Sequence, residues 1–452
     1  MVVVVLMALV AVTLVAGAHY YIWRRLVRDT TVAGGTARKA GTAVMILLPV
    51  LTVAGVGVGR GETPFALKQI LGWPAYMWLA TLLYLLLALL VGEAVRPVLR
   101  RVLDRRAAAC GAPETAPVEE PATVGAPARS NAPATSGPDA DKGADVGKGT
   151  GKGTDKGADK GTGTAAPEDP AAPAPAPDPS RRLFVSRVVG GAAAAAALAT
   201  VGYGASNVLR GPSVKRVTVP LAKLPRAAHG YRIAVVSDIH LGPLLGRAHA
   251  QRVVDTINST NPDLVAVVGD LVDGTVADLG SAAEPLAGLR AKHGSYFVTG
   301  NHEYFGNAGE WVDHVRELGL HPLENARVEI AGFDLAGVND IAGEEEGEGP
   351  DFQKALGGRD PARASVLLAH QPVVIHDAVK HGIDLQLSGH THGGQMWPVN
   401  YIAQAANPTL AGLEQYGDTA LYVTRGAGAW GPPVRVGAPA DITVVQLASR
   451  QA

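Results

Sequence analysis

Four stretches of this 452-residue chain carry no Asp, Glu, Lys or Arg, and each is long enough to cross a lipid bilayer. They run from Met1 to Trp23, from Ala40 to Gly59, from Ile70 to Gly92 and from Val188 to Leu209. A bilayer crossing needs about 20 apolar residues, whereas helices of a soluble core are usually shorter. The fourth stretch is the weakest because it contains mostly alanine and glycine rather than leucine. We therefore expect membrane-spanning helices, with a buried core helix as the alternative for each stretch.

The positive charges around these stretches predict how the helices are oriented. Lysine and arginine concentrate after the first stretch and after the third, at Arg24, Arg25, Arg28, Arg38, Lys39, Arg96, Arg100, Arg101, Arg105 and Arg106. The loop between the second and third stretches holds only Arg60, Glu62 and Lys68 as charged residues. Because short loops rich in lysine and arginine stay in the cytoplasm, we expect a multi-pass protein whose C-terminal part lies outside the cytoplasm.

Residues 107–180 have the composition of a disordered linker. Alanine, proline, glycine, threonine, aspartate and lysine dominate, with an imperfect repeat over residues 141–164 and a Pro-Ala run over residues 171–179. Such a segment has little apolar surface to bury, so we expect it to remain disordered. The predicted order is a membrane region at 1–106, this linker, a fourth membrane segment at 181–210 and a globular domain at 214–452.

The sequence Ser180-Arg181-Arg182-Leu183-Phe184-Val185 stands directly before the fourth stretch. It resembles the twin-arginine export signal, in which paired arginines precede a weakly hydrophobic span. An ordinary positively charged cytoplasmic flank explains the same residues. Both interpretations put the following domain outside the cytoplasm, and the twin-arginine interpretation adds export of an already folded domain.

The C-terminal part alternates short β-rich runs with amphipathic helical windows. Strands are predicted at 232–237, 264–268 and 295–298, and helices at 247–257, 277–291 and 308–318. This alternation is typical of an α/β sheet. Further strands are predicted at 365–368, 385–387, 421–424 and 443–447. The single cysteine, Cys110, excludes an intramolecular disulfide framework, and a net charge of -1 gives no indication of nucleic-acid binding.

Five short polar blocks directly follow predicted strands, where catalytic residues collect in α/β folds. They are Asp238-Ile-His240, Gly269-Asp270-Leu-Val-Asp273, Gly300-Asn301-His302-Glu303, Ala369-His370 and Gly389-His390-Thr-His392. Residues i and i+2 of an extended segment face the same side, so we expect Asp238 and His240 to bind one ion together. Gly300 and Gly389 are expected to let the backbone turn sharply. Carboxylate, imidazole and amide ligands without thiolate favour Mn, Fe or Zn over a closed structural zinc site.

Taken together, the five blocks resemble the signature of the calcineurin-like metallophosphoesterases over about residues 230–448. The runs at 389–395 and 427–436 are similar to those of a bacterial branch whose members are membrane-associated or exported. The resemblance implies an α/β (α+β) fold with four layers, in which a two-sheet β-sandwich is flanked by helices. The extra N-terminal membrane segments and the long linker depart from the family pattern.

The resemblance also implies a centre with two divalent metal ions. Asp238, His240 and His392 would bind one ion, Asn301, His370 and His390 would bind the other, and Asp270 would bridge them. A hydroxide held between the ions would attack phosphorus, and His302 would donate a proton to the leaving oxygen. Asp273 and Glu303 would orient the ligand imidazoles or the backbone.

The favoured interpretation is a membrane-anchored enzyme that hydrolyses a phosphodiester or pyrophosphate bond, in a lipid or an envelope precursor. The alternatives are a broad phosphomonoesterase and a non-catalytic membrane scaffold that binds metal. A transporter is disfavoured because no Asp, Glu, Lys or Arg lies inside the spans. Trp397 and Trp430 suit a lipid or membrane contact, but core packing is the favoured expectation for both.

Overall fold

The computed structural model describes residues 2–60, 63–110 and 179–451. Most of the predicted linker therefore lies outside the described residues. The chain divides into two units, one formed by Met1–Arg100 with Ser180–Ala452 and the other by Arg101–Pro179. The first unit contains both the apolar N-terminal helices and the globular domain.

In the described part of the chain, four long helices precede the globular domain: α1 Val2–Trp23, α2 Thr36–Arg60, α3 Phe65–Cys110 and α4 Pro179–Leu209. Among the described residues, three segments are long and apolar enough to cross a membrane, namely Thr36–Val58, Phe65–Arg106 and Arg181–Leu209. They cover the second, third and fourth apolar stretches of the sequence, except for Gly59 at the end of the second. The first stretch is also helical, and the total of four crossings stays a prediction.

The long helices pack closely through small residues. A Cβ added to Gly55 of α2 would lie 2.5 Å from Ala75 Cβ and 2.7 Å from the Leu71 carbonyl oxygen of α3. A larger residue would force these helices apart, which is the usual reason for glycine at a helix crossing in membranes. A buried cluster that includes Ile22, Leu89 and Val201 joins α1, α3 and α4. The helices therefore form a packed bundle rather than separate anchors.

The globular domain contains two six-stranded sheets. The strands are β1 Ser213–Leu221, β2 Arg232–Val236, β3 Leu264–Val268, β4 Ser295–Val298, β5 His321–Pro322, β6 Ala326–Ile330, β7 Phe333–Gly337, β8 Ala364–Leu368, β9 Leu385–Ser388, β10 Gly412–Tyr416, β11 Thr419–Val423 and β12 Asp441–Ser449. Their orders are β1-β12-β2-β3-β4-β5 and β10-β11-β9-β8-β7-β6. Both sheets are mixed, but β2, β3 and β4 are mutually parallel, as are β7, β8 and β9.

Seven further helices belong to this domain: α5 Arg247–Ser259, α6 Val276–Ala283, α7 Glu303–Gly306, α8 Ala308–Glu317, α9 Phe352–Leu356, α10 Ile375–Lys380 and α11 Asn400–Ala406. The inner faces of the two sheets meet in a buried core that includes Val235 and Phe333. Trp311 of α8 lies in a second core on the outer face of the first sheet, and Ala378 of α10 lies in a third core on the outer face of the second sheet. This arrangement confirms the predicted four-layer fold.

Some local expectations were wrong. The helix expected over 277–291 ends at Ala283 and continues as a short 3-10 turn, Glu284–Gly288, in which Pro285 occupies the first turn. Trp397 and Trp430 are not core residues, because their exposed fractions are 48% and 58%.

Candidate metal centre

All five polar blocks meet at one edge of the sandwich, because they follow the carboxyl ends of β2, β3, β4, β8 and β9. The two central sheets therefore bring side chains together that are as far apart in the sequence as Asp238 and His392. Most of these side chains are buried, including Asp238, His240, Asp270, His370 and His392. Buried polar groups of this kind need partners, and here they are one another or a shared ligand.

The first group of donors consists of Asp238, His240 and His392, whose ligand atoms lie within 4.8 Å of one another. The Nε2 atoms of His240 and His392 are 3.0 Å apart, and His392 Nε2 is 3.3 Å from Asp238 Oδ1. Two ring nitrogens and a carboxylate oxygen thus converge on one point. This donor set fits a divalent Mn, Fe or Zn ion.

The second group consists of Asp270, His370 and His390, again within 4.8 Å of one another. Asn301 joins this group, since its Oδ1 lies 3.0 Å from His390 Nδ1. The buried Nε2 of His370 lies 3.1 Å from Asp270 Oδ2 but has no hydrogen-bond partner among the described residues. This nitrogen faces a carboxylate but lacks the geometry of a hydrogen bond. A cation bound by both groups would give the buried nitrogen a partner.

Asp270 lies between the two groups. Its Oδ2 atom is 3.1 Å from His370 Nε2 and 3.7 Å from His240 Nε2, which belong to different groups. Burial alone would raise the pKa of Asp270, but His370 and His240 hold that pKa well below its usual value. A carboxylate in this position is able to bridge two ions about 3.5–4 Å apart.

The backbone of the predicted ligands is unusual. Asp238, His240, Asp270, His390 and His392 have φ values of 51°, 49°, 51°, 73° and 53°. They make up five of the eight non-glycine residues with positive φ in the part of the chain that the structure describes. Such backbone is uncommon and costs energy, and it collects at functional sites.

This finding corrects the expectation that Asp238 and His240 act from an extended segment. Strand β2 ends at Val236, and both residues have left-handed backbone beyond it. They nevertheless face the same site. The expected reason is therefore wrong, although the structure brings the two side chains together.

Gly300 and Gly389 were expected to let the backbone turn sharply. Neither has a positive φ, so the reason for glycine at these positions is a different one. A Cβ on Gly389 would collide with the side chains of Ser237 and Asp238, and a Cβ on Gly300 would collide with Asp270. These positions are glycine because carboxylates of the centre pass too close to the backbone for any side chain.

Asp273 connects the first group to His302. Its Oδ1 lies 2.8 Å from His240 Nδ1 and 2.7 Å from His302 Nδ1, so one oxygen accepts from two imidazoles. Both rings are thereby held with Nε2 directed away from Asp273. Burial opposes ionisation of Asp273, but His240 and His302 lower its pKa to about 2. Burial likewise opposes the charged form of His240, but Asp273 raises the pKa of that imidazole to about 9.

Glu303 organises backbone rather than imidazoles. Its carboxylate accepts from the N–H groups of Asp270 at 3.0 Å, Leu271 at 2.8 Å and Gly300 at 2.6 Å. It therefore ties the loop after β3 to the loop after β4. Burial, reinforced by the nearby Asp270 carboxylate, raises the pKa of Glu303 to about 8, although the backbone N–H groups oppose this.

Arg435 was not predicted as a site residue, although it lies in the run at 427–436. This buried arginine lies with Nη2 3.0 Å from His392 Nδ1, and its Nη1 donates to the His392 carbonyl oxygen at 3.2 Å. Burial lowers the pKa of Arg435 to about 10. In the sequence, the one feature that distinguishes Arg435 is that it is a charged residue within an otherwise uncharged run. It fixes both the ring and the backbone of one predicted ligand.

Comparisons with known proteins agree with this geometry. The sequence model of the calcineurin-like phosphoesterase family matches residues 231–394. An uncharacterized metallophosphoesterase from Aquifex aeolicus is 34% identical over 239 residues, which cover 52% of this chain and 91% of that protein. The chain belongs to the calcineurin-like metallophosphoesterases. Members of this family hydrolyse phosphate esters.

Another metallophosphoesterase relative combines the domain with membrane segments. A transmembrane protein with metallophosphoesterase domain from Danio rerio is 39% identical over 259 residues, which cover 54% of this chain and 59% of that protein. This chain therefore matches less than two thirds of that relative's length. A solved structure described as a novel archaeal phosphodiesterase has 16% identity and a TM-score of 0.27, with 43% of this chain and 84% of that chain covered.

The position of Asp273 leads to a prediction about metal affinity. Asp273→Asn removes the charge that holds His240, so we expect divalent ions to bind about 10–100-fold more weakly. The measurement is a Mn²⁺ titration of the metal-free full chain by calorimetry. Asp278→Asn is the control, because Asp278 pairs with Lys68 rather than with a donor of the centre. Equal affinity of Asp273→Asn and the unaltered chain would contradict this role.

Proposed function

We propose that this chain hydrolyses a phosphodiester or pyrophosphate bond with two divalent ions, Mn, Fe or Zn. Asp238, His240 and His392 would hold one ion, and Asn301, His370 and His390 would hold the other. The observation that carries the proposal is the position of Asp270 Oδ2, near His370 on one side and His240 on the other. When bound, the ions would supply a nucleophile at neutral pH and neutralise charge on the phosphoryl oxygens.

His302 is the proposed general acid. Its Nδ1 is held by Asp273, which leaves Nε2 for the leaving oxygen of a substrate. His302 Nε2 lies 3.9 Å from Asp270 Oδ2, so a proton donor stands beside the proposed bridge. The rings of Phe305 and Trp430 pack edge-on against the imidazole and restrict its orientation. A non-catalytic scaffold has less support, because it would need neither the His302 imidazole nor Asp273, which holds that imidazole.

We also propose that the centre faces away from the cytoplasm. At one end of the helix bundle, Arg25 pairs with Glu93 at 2.7 Å, and Arg187 donates to the Thr30 carbonyl at 3.0 Å. These contacts join the arginine-rich segments that the positive-inside rule assigns to the cytoplasm. The globular domain follows the opposite end of α4, where Asn207 donates to the Arg435 carbonyl at 3.1 Å.

The proposed substrate is a phosphodiester or pyrophosphate in a membrane lipid or an envelope precursor. The support is the close packing of the catalytic domain on apolar helices, since a tethered enzyme meets lipid head groups at high local concentration. A broad phosphomonoesterase is the second candidate with the same centre. Strong activity of the full chain on soluble monoesters, with none on diesters or pyrophosphates, would favour that candidate.

The role of His302 is tested by varying the leaving group. His302→Ala should slow hydrolysis of an alkyl phosphodiester by roughly 10²–10⁴, because an alkoxide needs a proton to depart. The same variant should lose much less activity on a nitrophenyl diester, whose phenolate departs without a proton. Steady-state rates on both esters, with the metal content of the protein, are the measurement. Equal losses on both esters together with reduced metal content would make His302 a ligand or a structural residue.

The orientation of the chain is tested with reporters. A reporter that works only outside the cytoplasm should be active when it is fused to the C-terminus. A reporter that works only in the cytoplasm should be active when it is fused within residues 107–180. A cytoplasmic C-terminal reporter would overturn the proposed orientation. Replacing Arg181 and Arg182 by Lys should abolish export if the pair is a twin-arginine signal, whereas unchanged export would identify it as an ordinary positively charged flank.

A further inference from the structure

The proposed metal centre opens into a cavity of about 1100 Å³, called the chamber below. Its inner end is lined by His240, Asp273 and His302. Pockets for small ligands usually enclose about 300–1,000 Å³, and a phosphate group fills only a small part of such a volume. The chamber therefore has room for a large group attached to the phosphate.

The outer wall of the chamber comes from the apolar N-terminal helices. Val56 of α2 and Gly72, Tyr76 and Leu79 of α3 line it. The catalytic domain contacts the same wall, since a Cβ on Gly72 would lie 3.3 Å from Leu244 Cδ2. Helices that the sequence marks as membrane spans thus form part of the cavity that leads to the metal centre.

The side chains around the chamber are mainly apolar beyond the metal centre. They include Val56, Leu79, Leu244, Phe305, Trp430 and Pro433. The charged groups on the outer part, Lys68 and Asp278, pair with each other at 3.3 Å. A strongly hydrated sugar or nucleotide would meet few polar partners there, whereas a hydrocarbon chain would lose unfavourable contact with water.

A neighbouring loop of the catalytic domain lies beside the apolar part of α3. Tyr84, near the middle of the apolar stretch 70–92, donates a hydrogen bond to the Trp397 carbonyl at 2.9 Å. Trp397 on this loop, and Tyr401 and Ile402 of the following helix α11, have exposed fractions of 48%, 62% and 72%. Tryptophan and tyrosine are enriched at membrane interfaces. The loop and α11 therefore expose large apolar side chains beside α3, where they are suited to contact lipid.

We propose that α2 and α3 are part of the substrate site, and that the chamber holds the hydrocarbon chain of a membrane lipid whose phosphodiester lies at the metal centre. This inference rests on the proposed function. In the reaction, water adds to phosphorus, the bond from phosphorus to the leaving oxygen breaks, and that oxygen takes a proton. The lipid chain stays on the phosphate product. The helices thus select the substrate as well as anchoring the enzyme.

Two phosphodiester probes test the chamber because they differ only in their hydrocarbon chain. Methyl 4-nitrophenyl phosphate and hexadecyl 4-nitrophenyl phosphate present the same leaving group and the same scissile bond. With the full chain in one detergent, kcat/KM for the hexadecyl ester should exceed that for the methyl ester at least tenfold. Similar values for the two esters would overturn the chamber proposal while leaving the proposed phosphodiesterase function intact.

A matched pair of variants assigns the preference to the chamber. Val56→Trp adds bulk inside it, whereas Val53→Trp makes the same change on the same helix at a side chain that is 74% exposed. The ratio of the hexadecyl to the methyl kcat/KM should fall at least tenfold in Val56→Trp and stay within twofold in Val53→Trp. A ratio that both variants leave unchanged would contradict the proposal.

A binding measurement separates failure of the chamber from failure of the proposed function. If the unaltered chain hydrolyses neither ester, the phosphodiesterase proposal fails, and hexadecyl phosphate bound to the full chain is measured by native mass spectrometry. Retention by Val53→Trp and loss by Val56→Trp would support the chamber. Equal retention by the two variants, or no retention by the unaltered chain, would overturn it.

Discussion

The carboxylate of Asp270 is the group on which the rest of the centre depends. It is buried between histidines of two donor groups, and those histidines keep its pKa well below the usual value. Two further features follow from its position. Gly300 must lack a side chain because Asp270 occupies the adjacent space, and Glu303 must accept the Asp270 and Leu271 N–H groups that the left-handed backbone leaves free of the sheet.

Hydrogen bonds from backbone N–H groups to carboxylates explain why strained backbone is retained in the centre. Left-handed φ values at ligand positions cost folding energy, of order 1–3 kcal/mol each, and persist only where surrounding contacts enforce them. Here the enforcing contacts include Glu303, and Asp238, which accepts the His390 N–H at 3.0 Å. The two sheets supply the rigid base, since the blocks emerge from buried strands whose packing does not depend on the polar residues. Stability of the fold and precision of the centre are therefore provided by different residues.

The sequence predicted which polar blocks come together because the signal is local. Each block follows a buried β-rich run, and β3 and β4 have the bounds that the pattern predicts. Edge strands were missed: β1, β6 and β10 contain many partly exposed or exposed residues and lack a strong apolar pattern. Arg435 and the chamber were missed for another reason. Both depend on the proximity of distant parts of the chain, such as Gly72 of α3 and Leu244 of the catalytic domain, and one sequence does not show which distant segments meet.

Anomalous diffraction from crystals of the full chain soaked in Mn²⁺ tests the central claim, a two-ion centre bridged by Asp270, most directly. We expect two peaks about 3.5–4 Å apart, one beside Asp238, His240 and His392 and one beside His370 and His390, with Asp270 contacting both. The structure contains a competing donor group, His240, Asp273 and His302, whose ligand atoms also lie within 4.8 Å of one another. A single peak would contradict the bridge, and a peak in that competing group would contradict the role of His302 as the acid.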